Sequence, residues 1–260
     1  MTELNPAFMD MPKTAIMDGD MIAYRASVVA QSLDEVRFSV TTIAQNWRPP
    51  GVNKIYVAMS CSRTDNYRRD FWPDYKAHRE DPPEDQADRL RLAKEILEDL
   101  YDCKWVARTE ADDLMGVLAS GGQAIAVTLD KDLLSTPGWH YRPEFSYWGG
   151  ADENGIRLQK TKPAQLRRVS LWEADFNFHS QWLRGDMTDG FAGLKGVGPK
   201  KAEKILLSTP SQNWTEAVLA EYEKRGHDLE YALAMAHCAR ILRWGDWERP
   251  DRLFYHECMG

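Results

Sequence analysis

Short apolar runs alternate with stretches whose apolar positions recur at helical intervals, and the alternation fades toward the C-terminal third of the chain. Thr14-Ala-Ile-Met17 reads as a short buried strand ending at Asp18-Gly-Asp20, with Met21 to Val29 helical after it. Val36, Val40, Ile43 and Trp47 mark a second helix, and Ser32 with Glu35 has capping-box spacing. After the break at Arg48-Pro-Pro-Gly51, Lys54-Ile-Tyr-Val-Ala-Met59 is apolar enough for the centre of a parallel sheet. A helix is expected from about Glu84 to Tyr101, a third strand near Lys104-Trp-Val106, and a helix over Leu114 to Ala119. Gln123-Ala-Ile-Ala-Val-Thr-Leu129 is the clearest core strand. Phe145 to Trp148 and Ile156 to Gln159, around Asp152-Glu-Asn-Gly155, read as a hairpin. Beyond Lys162 the pattern is helical to the end. Strand–helix alternation followed by helices alone predicts an α/β domain with a helical C-terminal subdomain.

Composition sharpens this picture in two places. With 43% hydrophobic and 28% charged residues the chain is globular. Its longest charge-free stretch, Leu114 to Leu129, holds Ser120, Gly121, Gly122 and Gln123 and is too short and polar for a membrane span. No secretory pattern opens the chain, and Cys61, Cys103, Cys238 and Cys258 form no CxxC pair, so a cytoplasmic setting is expected. The net charge of −7 speaks against nucleic acid until the carboxylates are located.

They fall in four short clusters. Asp18 and Asp130 each follow an apolar strand, and Asp132 stands two residues further on. Glu110, Asp112 and Asp113 open a helix, and Asp186 and Asp189 are one helical turn apart. Ligands of open parallel sheets collect outside the carboxyl ends of strands, so two parallel strands would bring Asp18 and Asp130 to one crevice. Taken singly, each cluster is an ordinary cap or acidic turn. Together they are oxygen-only donors suited to Mg²⁺, with Mn²⁺ as a substitute. Set aside, they leave the remaining surface no longer acidic.

The ordered set Met17-Asp-Gly-Asp-Met-Ile-Ala-Tyr-Arg25, Tyr67-Arg68, Tyr75-Lys-Ala-His-Arg79, Glu110-Ala-Asp-Asp113, Thr128-Leu-Asp-Lys-Asp132 and Gly185-Asp-Met-Thr-Asp-Gly-Phe-Ala-Gly-Leu-Lys-Gly-Val-Gly198 resembles the 5′ nuclease superfamily, most closely phage-type or stand-alone 5′→3′ exonucleases. The resemblance covers roughly residues 14 to 207. It implies a PIN-like domain over 1–165, with an arch at about 62–101. A helical subdomain over 166–260 would hold a helix-hairpin-helix at about 186–207.

The same resemblance implies two metal ions. Asp18, Glu110, Asp112 and Asp113 would hold the first, Asp186 and Asp189 the second, with Asp130 and Asp132 between them. Lys76 and Arg79 would act on the scissile phosphate from a basic helix of the arch, and Tyr75 would stack on a displaced base. Arg68 would be a further DNA contact, and Tyr24 and Arg25 weaker ones. Gly193, Lys195, Gly196, Gly198, Lys200 and Lys201 match the hairpin, which would hold duplex phosphate without reading sequence and bind K⁺. Two departures stand out. Where the family places an Asp after the second strand this chain has Cys61, with Asp65 expected to reach the first metal instead, and Gly190 replaces a common Asn.

The expected partner is DNA with free 5′ ends or flaps, acted on by a monomer. The alternatives are RNA removal from RNA–DNA hybrids and a non-catalytic helix-hairpin-helix DNA-binding protein.

Overall fold

The computed structural model describes residues 10–151 and 157–246. Strand β1 (Thr14–Asp18) is wholly buried after its first residue and runs directly into α1 (Gly19–Val29). Helix α2 (Leu33–Asn46) and β2 (Lys54–Ala58) follow. A short α3 (Arg68–Phe71) and the long α4 (Glu84–Leu100) lead to β3 (Asp102–Lys104) and α5 (Ala111–Ser120). Then come β4 (Ile125–Val127), β5 (Gly138–Arg142), the hairpin β6 (Phe145–Ala151) and β7 (Arg157–Lys162), and β8 (Gln165–Val169). Helices α6 (Leu171–Arg184), α7 (Pro199–Leu207), α8 (Trp214–Glu223) and α9 (Leu229–Ala239) complete the described chain.

Six strands form one sheet in the order β3-β2-β1-β4-β5-β8, parallel throughout except for β8. Alternation along β1 decides the layers. Ala15 and Met17 face a core shared with α1, α2 and α4, whereas Ile16 faces α5. The chain winds outward from β1 through β2 to β3, then returns to the other side of β1 as β4. Such a reversal opens a crevice at the carboxyl ends of β1 and β4, which are the ends carrying Asp18 and Asp130.

A separate apolar cluster holds α6 to α9 together and includes Trp182, Trp214 and Tyr222, with Tyr75 contributed by the preceding domain. Gly185 and Gly193 allow the chain between α6 and α7 to cross itself. A Cβ on Gly185 would stand 2.2 Å from the Ala192 carbonyl carbon, and both glycines have positive φ.

Several expectations are corrected. The chain is not helical throughout after Lys162, because β8 closes the sheet antiparallel to β5. Arg167 and Arg168 hid that strand, and charge is what an edge strand carries to discourage further pairing. The boundary expected at 165/166 therefore cuts β8 at its first residue, and the sheet extends to Val169. The Ser32 hydroxyl caps nothing; the Glu35 carboxylate instead accepts from the Gln31 N–H. The turn of the β6–β7 hairpin, Asp152 to Gly155, lies outside the described residues, as does Cys258. Among the described residues Cys61, Cys103 and Cys238 are free thiols. Among the described residues no helix is long and apolar enough to cross a membrane.

Candidate active site

A crevice of about 780 Å³ opens at the switch point, lined by Asp18, Asp20, Glu110, Asp112, Asp130, Asp132, Asp186 and Asp189 among others. Four segments distant in sequence meet there. Asp18 ends β1 and caps α1, its Oδ1 accepting from the Met21 N–H at 2.9 Å. Its Oδ2 accepts from the Thr128 hydroxyl at 2.7 Å, and that hydroxyl accepts from the Asp130 N–H at 3.0 Å. Asp130 Oδ1 then accepts from the Asp132 N–H at 2.8 Å. Thr128 thus ties the end of β1 to the turn after β4 and sets where both carboxylates lie. Sequence reading passed over it, although its place two residues before Asp130 at a strand end was the available signal. Asp20 was also missed. It accepts from the Ser60 N–H at 2.8 Å and from Lys94 at 2.6 Å.

Asp112 and Asp113 part company for a geometric reason. Adjacent helical residues point about 100° apart, so only one can face the crevice. Asp112 does. Asp113 is fully buried behind it, paired with both terminal nitrogens of Arg68 at 2.6 and 2.8 Å. It also accepts from the N–H groups of Glu110 and Leu242. Every oxygen lone pair it could offer an ion is thereby directed elsewhere, so the expectation of Asp113 as a metal ligand is corrected. Arg68 is likewise corrected as a DNA contact, being 1% exposed and bonded further to the Arg240 carbonyl.

The arch expectation changes more. Residues 72–79 form turns, not a helix, and Lys76 has φ of 54°. Tyr75 is buried, its hydroxyl 2.8 Å from Glu110 Oε2 and 3.1 Å from Asp189 Oδ2, so it presents no face for a base to stack on. Lys76 pairs with Glu110 and lies 3.7 Å from Asp189, which Arg79 also engages at 2.5 Å. Asp65 is outside the crevice, its exposed carboxylate 4.0 Å from Arg108, and the expectation that it reaches a metal is corrected. Cys61 does line the crevice, and burial followed by the Glu110 charge pushes its thiol up to about 11. It remains protonated there and offers no ligand to a hard cation. Tyr24 lines the crevice and is half exposed, whereas Arg25 is not part of the lining. Lys195, Lys200 and Lys201 are exposed beside Gly196 and Gly198, while Gly193 is buried at the chain crossing.

Electrostatics divide the crevice in two. Burial pushes Glu110 up, but Lys76 and Arg68 outweigh it and hold its carboxyl near 2. Asp18 is pushed up to about 7 by burial and the Asp20 and Asp130 charges, and Asp132 to about 7 by burial and Asp130. Burial and the Asp18 and Asp130 charges drive Asp112 well upward too. Among the described residues no cation forms an ion pair with Asp18, Asp112, Asp130 or Asp132, and Lys131 offsets the Asp132 shift only in part. Among the described residues no three His, Cys, Asp or Glu side chains are gathered tightly enough to enclose one ion. The donor chemistry nevertheless fits a hard divalent cation: the donors are carboxylate oxygens, and those on this side have no paired cation.

A stability prediction follows. Below about pH 4 these carboxyls are protonated in folded and unfolded chains alike, and their contribution is fully present. As pH rises toward 7 the unfolded chain ionises first and the contribution is lost. Glu110 has the opposite sign, but its window lies below about pH 4.5. Buried His140 and His179, held down to about 4, oppose this below about pH 6.5, so the Tm in EDTA should fall between about pH 6.5 and 8, and millimolar Mg²⁺ should restore it more at pH 8 than at pH 6.5. A flat Tm across that range, with no Mg²⁺ response, contradicts the assignment.

A parallel sheet whose strand-end carboxylates converge at the switch point, completed by two carboxylates from a helical subdomain, defines an α/β fold of the 5′ nuclease type. Comparisons with known proteins point to the same 5′ nuclease class. Residues 13–137 match the family described as 5′-3′ exonuclease, N-terminal resolvase-like domain. The chain is 29% identical over 218 residues to a DNA polymerase I of Chloroflexus aurantiacus, covering 76% of this chain and 22% of that one. It is 30% identical over 152 residues to the flap endonuclease Xni of Shewanella amazonensis, covering 54% of each. It thus spans about a fifth to a half of these relatives' lengths. Among solved structures, a bacteriophage T5 protein co-crystallised with metal ions shares the fold, with a TM-score of 0.56 at 14% identity over 88% of this chain and 89% of that one.

Proposed function

We propose that this protein is a divalent-metal-dependent 5′→3′ exonuclease and flap endonuclease that hydrolyses DNA phosphodiesters to 5′-phosphate products. The observation that carries the reading is the convergence of Asp18, Asp112, Asp130 and Asp132 with Glu110, Asp186 and Asp189 in one crevice. Kinship supports it. Flap endonuclease Xni is a relative, and a T5 flap endonuclease of the same fold was crystallised with DNA and metal ions.

In this reading Asp18, Asp112, Asp130 and Asp132 hold one Mg²⁺, and Asp132 with Asp186 and Asp189 a second. Two such ions supply an activated water and a stabilised leaving oxygen. Thr128 holds the Asp18 carboxylate and the Asp130 backbone before substrate arrives, so less reorganisation is left for the reaction. Lys76 and Arg79 line the crevice on the Glu110 and Asp189 side, and on exchanging those carboxylates for the substrate they would meet the scissile phosphate. Lys195, Lys200 and Lys201, with the Lys200 backbone N–H in the first turn of α7, hold duplex phosphates, and carbonyls of the same hairpin take K⁺.

Lys76→Ala is expected to lower the single-turnover rate of flap cleavage on the order of 10²-fold, the scale of one oriented electrostatic contact. Quenched-flow cleavage of a labelled flap measures this. A rate within twofold of wild type removes Lys76 from the chemistry.

A further inference from the structure

The cations around the acidic crevice are mostly committed to internal carboxylates. Arg68 pairs with Asp113, Lys76 with Glu110, Arg79 with Asp189, Lys94 with Asp20 and Arg63 with Asp81. A different situation holds just past Asp130. A second groove, about 510 Å³, continues from the crevice, with Met21, Asp130 and Lys131 lining both. It runs toward the β6–β7 hairpin and is lined there by Arg142, Phe145 and Lys162. Among the described residues Lys131, Arg142 and Lys162 have no carboxylate partner, and the Arg142 Nε is buried without a hydrogen bond.

The hairpin itself presents an ordered face. Phe145 pairs across it with Lys162, and Tyr147 with Lys160, so strand alternation sets two aromatics and two lysines on one side. Lys162 Nζ lies 5.7 Å from the Phe145 ring centroid and 5.4 Å from that of Tyr147, and Arg142 lies 5.7 Å over Phe145. Cations held over rings keep their charge directed at the groove without an anion to neutralise it. Uncommitted cations interleaved with ring faces are what a nucleic-acid strand recognises. Phosphates meet the cations, and unpaired bases stack on the rings regardless of sequence.

We infer that the groove from Asp130 to the β6–β7 hairpin binds a single nucleic-acid strand leading to or from the catalytic crevice, with Arg142 and Lys162 on its phosphates and Tyr147 stacked on a base. This rests on the nuclease reading for its placement, but not for its chemistry. A duplex offers no free base face to Tyr147, so the partner is an unpaired strand. An acidic protein segment could use the cations but not the stacking, which separates the two in a test.

The experiment measures anisotropy of a labelled oligo-dT strand and of a blunt duplex in EDTA across a salt series, using the full chain. Arg142→Ala with Lys162→Ala should weaken oligo-dT binding on the order of tenfold and reduce the salt slope by about 1.4, the value for two single-strand phosphates. Tyr147→Ala should weaken oligo-dT binding severalfold while leaving the slope unchanged, and duplex binding should hold in both variants. Wild-type affinity and slope for oligo-dT in the double variant overturn the inference. So does an equal loss for strand and duplex, or a Tyr147→Ala variant that binds the strand as wild type does. Circular dichroism melts confirm that each variant is folded; an unfolded one is replaced by Lys162→Gln, for which a wild-type slope is likewise contrary. Cleavage by wild type in Mg²⁺ is scored separately, so absence of cleavage with the binding pattern intact contradicts the nuclease reading alone.

Discussion

Asp113→Ala should lower the unfolding free energy of the metal-free protein by about 3–5 kcal/mol, the cost of removing one partner of a buried ion pair. Its carboxylate takes both Arg68 terminal nitrogens and the Glu110 and Leu242 N–H groups with no exposure to water. Deleting it leaves a buried guanidinium with Glu110 at 3.3 Å as its remaining carboxylate. Arg68 joins α3 to α5 and, through the Arg240 carbonyl, to the end of α9, so the loss reaches three elements. Urea unfolding in EDTA measures it as a lower midpoint. A metal ligand behaves in the opposite way: removing a repelled carboxylate leaves the metal-free fold unharmed or steadier. Unchanged metal-free stability in Asp113→Ala would return this residue to the ligand set.

Asp130→Asn should reduce cleavage beyond the about 10²–10³-fold of a single oriented contact, while DNA binding persists or improves. Asp130 raises the proton affinity of Asp18, Asp112 and Asp132 together, so it sits at the centre of the uncompensated charge. Replacing it with Asn removes the charge of a proposed ligand, while the Asn Oδ1 and backbone N–H can still hold the Thr128-to-Asp132 hydrogen-bond chain. Single-turnover cleavage beside equilibrium binding in Ca²⁺ separates the two effects. Turnover near that of wild type contradicts the placement of metal here.

The parallel sheet and its switch point were legible because apolar runs end in Asp at Asp18 and Asp130, and a buried strand end marks its own position. The Asp18 and Asp130 clusters were legible for that reason, and those at Glu110 and Asp186 as acids grouped at a helix start and in the glycine-rich stretch after α6. The division of labour within them was not. Asp112 and Asp113 are chemically alike in sequence, and only the helix phase decides which faces the crevice. Tyr75 and Arg68 read as nucleic-acid contacts because aromatic–basic pairs usually lie outside; here a deep carboxylate pair and the α6–α9 cluster hold them inside. Charged β8 was hidden by its edge position. The groove beyond Asp130 escaped for a further reason: Arg142 and Lys162 are distant in sequence and come near the crevice only because β5 pairs beside β4 and β6 pairs with β7.

The measurement that tests the account most directly is cleavage of a 5′-labelled DNA flap by the wild-type protein in Mg²⁺, with EDTA and Asp130→Asn as paired controls. The account predicts metal-dependent release of short labelled products, with the other cleavage end carrying a 5′-phosphate, and none with either control. Cleavage that persists in EDTA or in Asp130→Asn, or no cleavage in Mg²⁺ or Mn²⁺, would contradict it.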